Sequence, residues 1–375
     1  MREPIKKYSR FLRNLLLILL LSAFIVRFQD QDEKQRTASI IDFELNWMDL
    51  GDSKGIIDQE SDSAVVEAAE FSPDGKFIVS GSALGKEMIV WDAKKGNKIF
   101  EHKFTHKLET VCFSPDNKYI LAGGEFNYLS VFETDSWTQF MKNDFPSGIE
   151  GMRYSRDGEL LALGREDGII LLIDTKNFSV KDSLLHGYHG NSPDYSDDSY
   201  RADVNSLDFS PDNRYLVTGG LDGDIKIWYL PERKLIKTIN AHNSSIKSLR
   251  INNKGNCIAS ASSGDPGKGD NSIKIWDFTT GNLLHELSSP YGMEAVEFTP
   301  SGEFLLGSAR EVLRNNPENS PVGFIYVYYI PDDFQTDPIR LVSKEPAILS
   351  EYFNFNQSGS AMVTGHEDGS LRVWN

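Results

Sequence analysis

His186 and His189 stand with Asp194, Asp197 and Asp198 in one short stretch. Imidazole and carboxylate are the groups that bind zinc and calcium, so metal chemistry would be sought here first. The five residues follow no ligand spacing. They sit among Ser, Gly and Tyr, the composition of a solvated loop, and the balance falls against a metal site. Asp167-Gly168, Asp222-Gly223 and Asp368-Gly369 resemble fragments of a calcium loop but lack its full pattern. Gly81 to Lys86 ends in Gly-Lys without the spacing or the following Ser/Thr of a phosphate loop. No Gly-x-Ser-x-Gly elbow and no His-Glu-x-x-His pair occurs. Cys112 and Cys257 fall inside apolar runs and read as small buried hydrophobes. No contiguous constellation marks an enzyme, and no cofactor is expected.

The elements that must position any site are short and repeated. From Asp203 to His242 the chain reads strand, turn, strand, turn, strand, turn, strand. Val204, Leu207 and Phe209 lead into Ser210-Pro211-Asp212-Asn213. Tyr215 to Thr218 ends at Gly219-Gly220, and Asp222-Gly223-Asp224 turns the chain into Ile225, Ile227 and Trp228. Leu235, Ile236 and Ile239 make the fourth run. Each run is rich in β-branched and aromatic residues and is bounded by turn formers. A lone four-stranded unit cannot bury both faces, so it needs neighbours of its own kind.

The sequence supplies them at a spacing of about 41 to 42 residues. The first turn recurs as Ser72-Pro73-Asp74-Gly75, Ser114-Pro115-Asp116-Asn117, Ser155-Arg156-Asp157-Gly158, Asn252-Asn253-Lys254-Gly255, Thr299-Pro300-Ser301-Gly302 and Asn356-Gln357-Ser358-Gly359. The position of Trp228 is taken by Trp91, Phe132, Ile173, Trp276, Tyr328 and Trp374. Seven units are predicted.

With Trp91-Asp92 and Trp276-Asp277 in register, the chain resembles the WD-repeat β-propeller family from roughly Ile41 to its end. The resemblance implies an all-β, seven-bladed propeller. It also implies a structural tetrad of His, Asp, Ser/Thr and Trp in each blade. The fifth unit matches fully with His242, Asp270, Ser260 and Trp276. The fourth retains Thr218, Asp222 and Trp228, and the seventh Thr364, Asp368 and Trp374. The first keeps Ser80 and Trp91, with Gly85 at the Asp position. The second, third and sixth lack the Trp and must lean on apolar packing.

The chain stops at the end of a third strand, so the last unit lacks its fourth. Upstream, Ile41, Phe43, Leu45 and Trp47 alternate cleanly and are read as that missing strand, closing the ring and covering an edge. The propeller is therefore assigned to 39–375, with 29–38 as a polar linker.

Residues 1–28 form the remaining segment. Arg2, Lys6, Lys7, Arg10 and Arg13 precede an unbroken apolar run from Leu15 to Val26, and Arg27 and an acidic stretch follow. This is the layout of an export signal, with the basic flank held in the cytoplasm. The strict run is shorter than the roughly 17 to 25 residues of a spanning helix, but 11–28 would span if Arg13 and Arg27 snorkel. Cutting after Ala23 would put Leu21 where a small residue belongs. The pattern favours a hydrophobic anchor helix over a cleaved signal, with the propeller on the non-cytoplasmic side.

The formal net charge is −16, and the first 27 residues carry six basic groups and one acid, so the rest of the chain carries −21. A body this acidic repels phosphate backbones, which argues against nucleic acid. The large insertions lie in the link before the fourth unit (186–201) and in the second turns of the fifth (264–271) and sixth (309–322). Alternating connectivity puts all three on one face, the expected site for protein or peptide partners. Its candidate residues are His186, Tyr188, His189, Tyr195, Tyr200, Asp265-Pro266, Lys268, Arg310 and Arg314. Trp137 lies off the repeat positions and is a further candidate interface anchor. The expectation is a monomeric scaffold. The alternative is an exported enzyme or ligand sensor whose site converges on the central channel; perturbed carboxylates gathered at one channel mouth would favour it.

Overall fold

The computed structural model describes residues 56–58, 65–187, 203–264, 270–289, 292–311, 322–331, 334, 338–343, 350–366 and 369–374. The chain divides into two units, Met1–Asp52 and Ser53–Asn375, and the described residues all belong to the second. The apolar run Leu15–Val26 and the alternating segment Ile41–Met48 lie outside them. Among the described residues, no helix is long and apolar enough to cross a membrane.

The strands form seven four-stranded antiparallel sheets, six of them built from consecutive strands. These are the blades of a β-propeller. The innermost strands are Val66–Phe71, Leu108–Phe113, Ile149–Tyr154, Ser206–Phe209, Ile246–Ile251, Gly292–Phe298 and Ser350–Phe355 for blades 1 to 7. Each first turn of blades 1 to 4 is held by a side chain: the Ser72, Ser114, Ser155 and Ser210 hydroxyls accept from the backbone N–H five residues on, at 2.9 to 3.0 Å. They also donate to the Asp two residues on. This is why Ser-x-Asp recurs at that turn.

Blade 7 takes its outer strand from upstream of blade 1. That strand is Ile56–Asp58, which pairs antiparallel with Ser370–Trp374 through Ile56↔Arg372, Ile57↔Leu371 and Asp58↔Ser370. The closure is of the kind the sequence suggests, but the segment is not Ile41–Trp47, whose intended place is occupied. The physical reason is reach: residues 59–65 alone separate Ile56–Asp58 from blade 1, whereas a strand at 41–47 would trail a much longer connection.

The core lies between blades rather than within one. Val79, Met88 and Val90 of blade 1 pack on Leu108, Phe113 and Phe132 of blade 2. The pattern continues between blades 2 and 3, 3 and 4, 4 and 5, and 5 and 6. Ile78, Ile89 and Trp91 of blade 1 pack on Val363 and Leu371 of blade 7, so apolar burial also closes the ring. Phe71 N–H donates to Asn354 Oδ1 across that seam at 3.1 Å.

Candidate functional site

The innermost strands line the channel, and their first residues repeat one pattern. Val66-Glu67, Leu108-Glu109, Ile149-Glu150, Ile246-Lys247 and Met293-Glu294 each pair an apolar residue with a charged one. The apolar member is buried between blades. The charged member falls at a bulge, because the strand register skips it in every one of these blades. A bulge leaves its extra residue unpaired and re-aims the side chain. Glu67, Glu109, Glu150, Lys247 and Glu294 thereby come together around a cavity of about 320 Å³, with Asn205 at the equivalent place in blade 4.

This mouth is acidic, and its carboxyls feel one another. Burial, and then the charge of Glu109, pushes the Glu67 carboxyl up to about 7. Burial, followed by Glu109 and Asp203, pushes Glu150 up to about 8. Glu109 is raised by burial too, against the pull of Lys107. Asp203 and Leu221 share the lining, so the mouth opens on the face of the links and second turns. Leu84 and Leu221 occupy second turns of blades 1 and 4 and remain exposed.

Deeper in, an ionic layer bridges the channel. Arg153 of blade 3 lies 3.4 Å from Asp208 of blade 4 and 3.8 Å from Glu297 of blade 6. Arg250 of blade 5 lies 2.7 Å from Glu297, and Arg156 lies 3.6 Å from Asp208. Burial alone would raise the Asp208 carboxyl, but Arg153, Arg156 and Arg250 hold it below the usual range. Glu70, on the same layer, is pushed by burial to about 7 despite Arg153 and Arg250. Beyond the layer a second cavity of about 400 Å³ opens among the first turns, lined by Pro73, Pro115, Pro300 and Arg156. Arg153 lines both cavities.

The structure places the tetrad residues as follows. In blade 5, Trp276 Nε1 donates to Ser260 Oγ at 3.0 Å, His242 Nε2 meets the same oxygen at 2.7 Å, and His242 Nδ1 lies 3.1 Å from Asp270. In blade 4, Trp228 Nε1 donates to Thr218 Oγ1 at 3.0 Å, and His186 meets Thr218 at 2.8 Å and Asp222 at 3.2 Å. His186 is therefore not a surface or metal-binding residue. It is 2% exposed and completes the buried network of blade 4, anchoring the start of the long link. In blade 7, Trp374 Nε1 donates to Thr364 Oγ1 at 3.0 Å, and His366 meets that oxygen at 2.7 Å; Asp368 lies outside the described residues. Blade 3 has Leu163 and Ile173 at the hydroxyl and Trp positions, and buried Arg165 ion-pairs with Asp167.

Tyr188, His189, Tyr195, Tyr200, Asp265-Pro266, Lys268 and Arg314 lie outside the described residues. Arg310 is part of a strand, Phe304–Glu311, that runs further than the sequence suggests, and the next strand begins at Val322. Trp137 is no free interface anchor. It packs on blade 1, 5.3 Å edge-on from Phe77 and 6.1 Å in stack with Phe100. Among the described residues no group of three or more His, Cys, Asp or Glu is placed to hold a metal ion. The acidic column is not among the candidates drawn from the sequence, although the recurring apolar–acid pair at each strand start is a visible signal there.

Comparison with known proteins agrees with this geometry. The family model described as "WD domain, G-beta repeat" matches residues 54–92, 195–229, 233–277 and 349–375, four segments that fall on blades 1, 4, 5 and 7. The chain is a WD-repeat β-propeller. This WD-repeat chain is 24% identical over 322 residues to Protein ROOT INITIATION DEFECTIVE 3 of Arabidopsis thaliana, covering 80% of the chain and 66% of that protein. It is 25% identical over 181 residues to Eukaryotic translation initiation factor 3 subunit I of Saccharomyces cerevisiae (strain YJM789), covering 46% of the chain and 49% of that protein. The match thus spans about two thirds of the first relative and half of the second. Among solved structures, one titled "Structure of U3-55K" superposes with a TM-score of 0.68 at 16% identity, over 85% of this chain and 97% of the other, which speaks for the fold.

Proposed function

We propose that this WD-repeat propeller is a non-enzymatic platform that receives a protein or peptide partner on the face of its links and second turns. A basic side chain of the partner enters the acidic mouth. The observation that carries this reading is the ring of bulged residues, Glu67, Glu109, Glu150 and Glu294, around an open cavity with exposed Leu84 and Leu221 on the same face. A cationic group that enters the mouth favours the ionised form of these carboxyls and pairs with the charge it draws out. The net charge of −16 adds to that attraction for basic proteins and opposes nucleic acid. The matched yeast relative is, by its name, a subunit of an initiation factor, which fits a role in assembly. The three insertions leave the propeller from this same face by connectivity. Capture of partners by a folded version with 188–201, 265–269 and 312–321 shortened tests the placement. Reduced capture supports it, and undiminished capture removes it.

The N-terminal segment adds a location to this reading: the basic flank and the apolar run Leu15–Val26 tether the platform to a membrane, with the propeller on the non-cytoplasmic side. Fractionation with protease protection tests it; a soluble, uncleaved full-length chain would exclude it.

A second reading, the exported enzyme or ligand sensor, draws on the same ring, because perturbed carboxyls gathered at one channel mouth are the feature that favours it. Carboxyls that titrate near neutrality, as at Glu67 and Glu150, are the kind that act in acid–base chemistry or bind a small cation. Binding of a small organic amine at the mouth, abolished by Glu150→Gln, would favour this channel site.

A further inference from the structure

The acidic mouth differs from an ordinary acidic surface in how its members are held. Glu67, Glu109, Glu150 and Glu294 come from four different blades, each fixed at the same bulge of an innermost strand. The backbone there is paired on both sides of the bulge. The ring therefore fixes the backbone positions from which the four carboxyls reach the mouth.

Their surroundings are also short of compensating charge. Glu67 faces Glu109 and Glu294, with Lys107 and Lys247 as its cations. Glu109 faces Glu125 and Glu166 and the same two lysines. Glu150 faces Glu109, Asp203, Glu166 and Glu125, all acidic. Lys107 is itself engaged with Glu125 at 3.3 Å. Each proton lost raises the cost of losing the next, so the group titrates as a unit.

We infer that the mouth is a proton-linked switch: Glu67, Glu109 and Glu150 share protons while the mouth is empty, and release them when the pH rises or when a cationic group of the partner enters. The use of the switch rests on the platform reading above; the titration itself does not. Protons bound by the folded state and not by the unfolded chain stabilise the fold on the acid side. Carboxyls raised above their ordinary value give stability that is fully present below about pH 4.5 and is lost as the pH climbs towards about 8. The opposing charges then press outward on the ring.

The test is thermal unfolding of the full chain against pH, for the wild type and for Glu67→Gln with Glu150→Gln. Glutamine imitates the protonated carboxyl in shape and charge. The variant is expected to match the wild type at about pH 4 and to exceed it progressively as the pH rises, by about 3 °C or more at about pH 9. A gap that does not change with pH overturns the inference. Should the double variant not fold, the single variant Glu150→Gln decides: the protonated-carboxyl infrared band that the wild type shows at neutral pH must be reduced in it, and an unchanged band overturns the inference equally, since Glu70 alone would then account for it. Neither readout uses a partner. A flat titration with intact partner capture would remove the switch and leave the platform, and the reverse pair of results would do the opposite.

Discussion

Trp137 stacks on Phe100 across the boundary between blades 1 and 2, with ring planes 18° from parallel. It does so from a backbone conformation that a tryptophan rarely adopts, φ 55°. The same position of the third turn holds Gly96 in blade 1, Phe178 in blade 3, Arg233 in blade 4 and Gly281 in blade 5, and Phe334 lies in the longer third turn of blade 6, all at positive φ. The aromatic occupants fall in blades 2, 3 and 6, which are the blades without the tetrad tryptophan. Phe178 reaches back to Tyr119 of blade 2, 5.3 Å edge-on, and Phe334 packs on the core between blades 5 and 6. Where the hydrogen-bonded tetrad is missing, an aromatic ring ties the blade to its predecessor.

That arrangement predicts an inverted glycine effect. Glycine relieves positive φ, which costs other residues roughly 1 to 2 kcal/mol. Trp137→Gly is nevertheless expected to destabilise by about 1 kcal/mol, and Phe178→Gly, which empties a buried site, by about 3 kcal/mol. Denaturant unfolding measures both. A stabilised Phe178→Gly would contradict the role.

The blade 4 network predicts that Thr218→Val costs about 2 kcal/mol or more, because it strands the buried Trp228 indole N–H and the His186 ring together. The same replacement at an exposed Thr, such as Thr138, should be close to neutral. Equal effects at the two sites would deny the network its weight.

Acid unfolding follows from the two tetrad aspartates. Burial would raise Asp222 and Asp270, yet His186 and Lys226 at the first, and His242, Lys274 and Ser272 at the second, hold both carboxyls well below the usual 3.8. A depressed carboxyl gives stability that is present above its unfolded value and lost as the pH falls through its folded one. The stability gap between wild type and Asp270→Asn is therefore widest above about pH 5 and narrows towards about pH 2. Thermal melts across that range check it; a gap that widens in acid would refute it.

The channel layer predicts a large loss for Asp208→Ala, about 3 kcal/mol, since it leaves buried Arg153 with one distant partner and removes the acceptor of Ile251 N–H at 2.9 Å. Unfolding in urea reads it directly, and an unchanged midpoint would show that the layer contributes nothing net.

Seven units can be counted from the sequence because Ser-Pro-Asp turns and the Trp91, Trp228, Trp276 and Trp374 positions are local chemistry. The closing strand is legible in kind but not in place: Ile41 to Trp47 alternates over seven residues, while Ile56–Asp58 is three residues long and carries no period. His186 is hidden by the insertion that follows it. Counted from the strand after it, it stands far from its place; counted from the strand before it, it follows Leu185 directly, much as His242 follows Asn240 by two. The aromatic ties are hidden because the sign of φ is not written in a side chain. The acidic mouth is hidden because only a bulge turns Glu67, Glu109, Glu150 and Glu294 into the channel together.

The most direct test of the platform is partner capture from native extract with three full-length proteins: wild type, the mouth variant Glu67→Gln, Glu109→Gln, Glu150→Gln, and a first-turn variant Lys76→Gln, Lys118→Gln on the opposite face. Capture lost by the mouth variant at low salt, and kept by the first-turn variant, is the predicted result. Equal capture by the wild type and a folded mouth variant would contradict it.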